Sequence, residues 1–183
     1  MAGIEPFSVK QSISSMLKDV FAVLASTPEK LRREIATLSR REMKTRPAPD
    51  KWSVQIVLAH LADVEELGMR SRVEAMVTED RPVLKAFDQE ARVTEMGYAR
   101  KDPQRSLASF TRQRKENVRW LRQLRPADLK RKGVHEKVGE ISVAELVTEW
   151  AFHDLGHLKQ ILEIKRYALF PRMGNMRKFY RLT

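Results

Sequence analysis

The chain has 183 residues, 42% of them hydrophobic and 32% charged, with a formal net charge of +11. That length suits one domain with a real core, and the apolar content is too high for a disordered chain. Cysteine is absent, which excludes disulfides, thiolate metal sites and a cysteine nucleophile, so a metal would have to be held by His, Asp or Glu.

The first residues, MAGIEPFSVK, carry no basic segment followed by an apolar core, which argues against a signal peptide. Residues 8–25 place Val9, Ile13, Met16, Leu17, Val20, Phe21 and Leu24 near the helical period. Thr27-Pro28 reads as a cap with proline at a first helical position, so the helix from Pro28 to about Arg41 either starts afresh or continues the first with a bend. Residues 46–50, Arg-Pro-Ala-Pro-Asp, form a loop. Ser53 caps a helix predicted to run to about Thr78. A connection over roughly 79–101 follows, and Asp102-Pro103 opens the next helix, which Pro126 ends. Residues 126–140 read as a basic loop containing Gly133 and Gly139. Ser142 and Glu145 form a capping box for a last helix over about 143–168. A basic tail occupies 172–183.

No alternating segment is long enough to argue for a sheet. The expected fold is therefore all-α: a single domain, 1–183, built as a four-helix bundle with an extra N-terminal helical segment over about 1–25. No stretch approaches the ~18 apolar residues of a membrane span, and the expected location is the cytoplasm. The basic residues are spread along the chain and interrupted by acidic ones. That makes nucleic-acid binding unlikely, while the same field would favour an anionic small-molecule substrate.

Two of the four histidines, His153 and His157, are four apart and share a helix face. They fall on the series Leu146, Trp150, His153, His157, Ile161, Ile164. His60 falls on the series Val57, His60, Val64, Leu67. Three imidazoles from two core seams would each need a partner, and an unsatisfied buried polar group costs ~1–3 kcal/mol. One divalent metal would satisfy all three and keep at least one coordination position open, as catalytic sites do. The competing reading pairs each histidine separately with a protein group. His153-Asp154-Leu155-Gly156-His157 also has the histidine spacing of the zincin motif, but with Asp for Glu and no third ligand after it, so a protease is not expected.

Lys51-Trp52-Ser53-Val54 with Ala59-His60-Leu61-Ala62-Asp63, Ala86-Phe87-Asp88-Gln89-Glu90, and Glu149-Trp150-Ala151-Phe152-His153 through Gln160-Ile161 resemble, in order and spacing, the DinB/YfiT-like superfamily over about residues 20–168. The resemblance implies an up-down-down-up four-helix bundle, commonly a homodimer. It also implies a triad matching His60, His153 and His157 that binds zinc, nickel or iron. Activities in the family include transfer to low-molecular-weight thiols, a mycothiol-dependent isomerisation and metal-dependent hydrolysis.

Asp63 and Gln160 are candidates to support the ligands from behind. Glu149 is expected to pair with a surface lysine, and His135 to lie on the surface or in a loop over the site. Gly156 suggests a close backbone approach or room for substrate. Trp52 and Trp150 read as core anchors. Two functions follow: a metal-dependent thiol transferase or hydrolase, and a non-catalytic, metal-stabilised helical module, stress-associated or nucleic-acid-binding.

Overall fold

The computed structural model describes residues 13–182. The helix over 8–25 therefore enters it at Ile13, and Val9 lies outside the described residues. The first helix, α1 (Ile13–Ile35), continues through Pro28, so the continuous alternative holds, but it ends at Ile35, short of the expected Arg41. Proline removes the N–H that would bond the Leu24 carbonyl. That carbonyl instead accepts from Arg114 Nη1 at 3.0 Å. Residues 13–25 are thus the first half of a bundle helix, not a separate extension.

A short α2 (Arg40–Lys44), with its own Ser39/Glu42 capping box, leads to α3 (Val54–Val64), capped by Ser53. A π-helical turn (Glu65–Arg70) joins α3 to α4 (Ser71–Thr78), so the predicted helix to Thr78 is one rod with a local widening. The expected loop over 79–101 contains β1 (Val83–Leu84) and α5 (Gln89–Glu95). Helix α6 (Pro103–Leu121) starts at the Asp102 cap, whose side chain accepts from Arg105 N. After α7 (Pro126–Leu129) come β2 (Lys132–His135) and β3 (Gly139–Ser142). Helix α8 (Val143–Leu169) begins at the predicted capping box, and 3₁₀ turns over Phe170–Phe179 carry the basic tail onward.

Helix directions follow from the cross-links. Lys165 Nζ bonds Glu34 near the C-terminal ends of α1 and α8 at 2.7 Å, so these run parallel. Gln113 bonds the Ala62 carbonyl and Arg70 bonds Asn117, so α6 runs parallel to the α3–α4 rod. His60 meets His153 while Glu65 meets Trp150, so α8 is antiparallel to that rod. The bundle is up-down-down-up, and the parallel middle pair explains why the 79–102 connection must be long.

The 126–140 segment is a correction. It is not a bare loop but a hairpin: β2 pairs antiparallel with β3 and parallel with β1 in a three-stranded sheet ordered β1-β2-β3. Gly133 lets it seat closely, since a Cβ there would come within 3.0 Å of Met76 Cγ and 3.1 Å of the Pro82 carbonyl.

The core has two apolar ends. One gathers Leu31, Ile35, Trp52, Leu58, Phe110 and Ile161; the other gathers Leu24, Met76, Leu121, Val147 and Trp150. Between them lies a polar layer of Glu65, Arg114, Asn117 and Asp154, all buried. No helix of the described residues is long and apolar enough to cross a membrane.

Candidate metal centre

His60, His153 and His157 come together, with one ligand atom of each within 4.8 Å of the others. His60 projects from mid-α3 and is fully buried; the α8 pair is half-buried. The middle of the α8 stripe is taken by Asp154, with Trp150 and Ile161. The histidines therefore flank that stripe instead of sitting at its centre.

His153 Nε2 lies 3.2 Å from His60 Nε2 and 3.1 Å from His157 Nε2. Metal–nitrogen bonds of ~2.0–2.1 Å in a tetrahedron put neighbouring nitrogens roughly 3.3–3.4 Å apart, close to what is seen. His157 Nδ1 donates to Gln160 Oε1 at 2.8 Å, which leaves its Nε2 as a bare lone pair aimed inward. Burial, then the neighbouring imidazoles His157 and His153, push the His60 pKa down to about 2. Burial likewise pushes His153 down to about 3, and it lowers His157. All three rings are thus neutral, the form that ligates a metal. The donor set fits a divalent ion on one face, with the cavity side open.

Trp52 does more than anchor the core. Its ring stacks on His157 at 6.1 Å, with planes 6° apart, and meets His60 edge-on at 5.0 Å. Tyr98 and Phe87 also pack edge-on against His60. These rings hold the His60 imidazole, whose buried Nδ1 has no hydrogen-bond partner.

Gln160 supports a ligand directly. Asp63 does not bond an imidazole. It accepts from Arg92 Nη2 at 2.9 Å and from the Tyr98 hydroxyl at 2.6 Å, and so reaches His60 only through the Tyr98 ring. Removing a partner of this kind weakens metal binding by about 10–100-fold. Gln160→Ala is expected to fall in that range in a competitive chelator titration, and unchanged affinity would mean the hydrogen bond does not orient His157.

A cavity of about 200 Å³ opens beside His60 and His153, and Glu149 and His135 line it. Glu149 makes no surface ion pair with a lysine. It stands one turn before His153 with solvent exposure, and partial desolvation by its surroundings raises its pKa, with Arg72 opposing. His135 is carried to the cavity by the β2–β3 hairpin, which covers the site. Gly156 has nothing within 4 Å of an added Cβ. It marks neither a close backbone approach nor a lining position of this cavity.

Behind the triad, Arg114 has all five N–H groups engaged. Nε and Nη2 bond Glu65 at 2.8 and 2.7 Å. Nη2 also bonds Asp154 Oδ1 at 2.9 Å, while Nη1 reaches Asp154 Oδ2 and the Leu24 carbonyl. Glu65 further accepts from Trp150 Nε1 at 3.1 Å and Asn117 Nδ2 at 3.1 Å. Asp154 is thereby committed to Arg114, so it is not available as the general base that a zincin-like motif would need there.

A four-helix bundle with a three-histidine cluster and an adjoining cavity defines the class: a helical bundle with a candidate metal centre. Residues 24–161 match the DinB superfamily, and the chain belongs to it. It is 27% identical over 173 residues to the "Putative metal-dependent hydrolase YfiT" of Bacillus subtilis, covering 93% of this chain and 94% of that one. A second protein of that printed description, OB0782 of Oceanobacillus iheyensis, is 28% identical over 137 residues, covering 75% of this chain and 78% of its own. The solved structure of Bacillus subtilis YfiT, described as a probable metal-dependent hydrolase with an unusual four-helix bundle topology, superposes with a TM-score of 0.77 at 25% identity. The match covers 89% of this chain and 94% of that one.

Proposed function

We propose that this chain is a metal-dependent hydrolase that activates water at the His60–His153–His157 centre, with Glu149 as proton acceptor. The observation that carries this reading is the convergence of three neutral imidazoles beside a cavity that His60 and His153 line together with the unpaired carboxylate of Glu149. The names of the relatives support the reaction class.

A divalent ion in such a centre lowers the pKa of a water or thiol toward neutrality. The chain's own residues do the rest. The histidines hold three positions on one side, and Gln160 fixes the tautomer of His157. Glu149 has no hydrogen-bond or ion-pair partner among the described residues. Its carboxylate takes the proton from the attacking water as the oxygen bonds to the electrophilic centre, and returns it to the departing group. The pKa of Glu149 is raised, which makes the carboxylate a stronger proton acceptor. Because the chain has no cysteine, transfer to sulfur would require a low-molecular-weight thiol from outside, attacking at the same place with the same proton acceptor.

The test loads the protein with zinc, nickel or iron(II). Each form is assayed against nitrophenyl esters and phosphates, and against an alkylating electrophile with and without a small thiol. Hydrolysis is expected, with Glu149→Gln lowering kcat by about 10²–10⁴-fold at unchanged metal content. Turnover only in the presence of thiol would replace the hydrolase with a thiol transferase. No turnover under any of these conditions would favour the non-catalytic module.

A further inference from the structure

Part of the cavity lining is basic. Arg72 comes from α4, His135 from β2 and Lys137 from the hairpin turn, and all three line the cavity with His60, His153 and Glu149. Arg72 Nη2 donates to the Lys85 carbonyl, which holds the guanidinium against the loop that follows β1. The β1–β2 register sets Leu84 opposite His135. Ala86 N donates to Glu136 Oε2 at 2.8 Å, tying the hairpin down beside it. Lys137 N donates to His135 Nδ1 at 3.2 Å, which assigns the proton of that neutral ring to Nε2. The sheet thus serves to deliver cationic and N–H donor groups to this lining.

Arg72 is half-buried, yet among the described residues no carboxylate lies within ion-pair distance of it. Burial lowers its pKa, and the more distant Glu149 and Glu136 offset this only in part. Arg92, also half-buried, is paired with Asp63, whereas Arg72, like Arg131, bonds backbone carbonyl oxygen. A guanidinium with free N–H groups, facing a cavity of about 200 Å³, is matched by the planar oxygens of an oxyanion. The volume lies below the ~300–1,000 Å³ of ordinary ligand pockets, so the occupant is small.

We propose that this cavity binds the oxyanion group of a small substrate, carboxylate or phosphate, through Arg72 with help from Lys137 and His135, and so sets the reacting group against the triad. The inference rests on the hydrolase reading for the identity of the reacting group, but the oxyanion clamp can be measured separately.

Inorganic phosphate and acetate are titrated calorimetrically, at constant ionic strength, into the metal-loaded protein and into protein stripped by chelator. Arg72→Gln is expected to weaken binding of the better probe by about tenfold or more, as loss of a charge-assisted hydrogen bond does. Lys137→Gln, on the exposed hairpin turn, is expected to weaken it by roughly threefold and tests the clamp without disturbing the packing of Arg72. Arg119→Gln, on the exposed side of α6 and away from this cavity, is expected to change nothing. Binding that persists in stripped protein and still depends on Arg72 supports the clamp even if elemental analysis finds no metal. Binding that requires the metal and ignores Arg72 and Lys137 overturns it, while leaving the metal centre intact.

Discussion

His153→Ala is expected to abolish stoichiometric metal binding: about one transition-metal ion per chain in the parent protein, and close to none in the variant, by elemental analysis after reloading. His153 is one corner of a compact triangle of imidazoles: its Nε2 stands 3.2 Å from His60 Nε2 and 3.1 Å from His157 Nε2, and the His60 and His157 ring centroids are 4.7 Å apart. Removing it leaves two imidazoles from different helices, and no other His, Asp or Glu among the described residues is grouped with them at ligand distance. Asp154, the next residue, is locked to Arg114. The stability increment that metal provides should vanish with the ion. A ligand at 100 times its Kd adds about 2.7 kcal/mol to a fold that binds it only when folded. The parent should therefore melt several degrees higher with metal than without, and the variant should not. The three tryptophans offer a second readout: Trp52 stacks on His157, so nickel or cobalt should quench part of the fluorescence in the parent and none in His153→Ala. Equal metal content in the two proteins would show that the ion sits elsewhere. Negligible metal in both after reloading would remove the centre altogether.

What sequence reveals here follows the range of the interaction. Helix starts are local, and Ser53, Asp102 and Ser142 each cap the helix that their own residue type and spacing announce. The triad was legible because histidine at core-seam positions is conspicuous. The same seam logic applies to α6, where Leu107, Phe110, Arg114 and Leu121 step along one face and Arg114 is buried with the rest. Arginine among many surface arginines is not conspicuous as histidine is, so the buried cluster is not legible in the sequence. The sheet was out of reach for another reason. Its strands are two to four residues long, too short for alternation to register, and β1 and β2 are paired across about fifty residues of chain. Glu149, Arg72 and His135 acquire their meaning only when that sheet closes over the cavity. Pro28 was ambiguous because its outcome depended on whether Arg114, distant in sequence, would meet the Leu24 carbonyl.

Arg114→Met should be the most destabilising single change in the polar layer, by about 3–5 kcal/mol, the range for breaking a buried ion pair by removing one partner. Burial alone would discourage the guanidinium charge, but Asp154 and Glu65 outweigh it and hold Arg114 above its ordinary pKa. Without it two carboxylates, both at most 1% exposed, face each other across a site that has lost its cation. The Leu24 carbonyl also loses its donor, and Pro28 cannot supply one. Methionine fills much of the volume, so the loss reads out charge and hydrogen bonding more than a cavity. In urea the midpoint should fall while the slope stays constant, as for a change in stability without a change in the surface exposed. Replacing all three charges together, Arg114→Met with Glu65→Gln and Asp154→Asn, should recover part of the loss, because no uncompensated charge is then buried. A loss below about 1 kcal/mol for Arg114→Met alone would mean that water reaches the layer and screens it. Arg114 and its two carboxylate partners thus close the middle of the bundle behind the triad, and the guanidinium adds to the burial that keeps the His153 ring neutral, the form that ligates a metal.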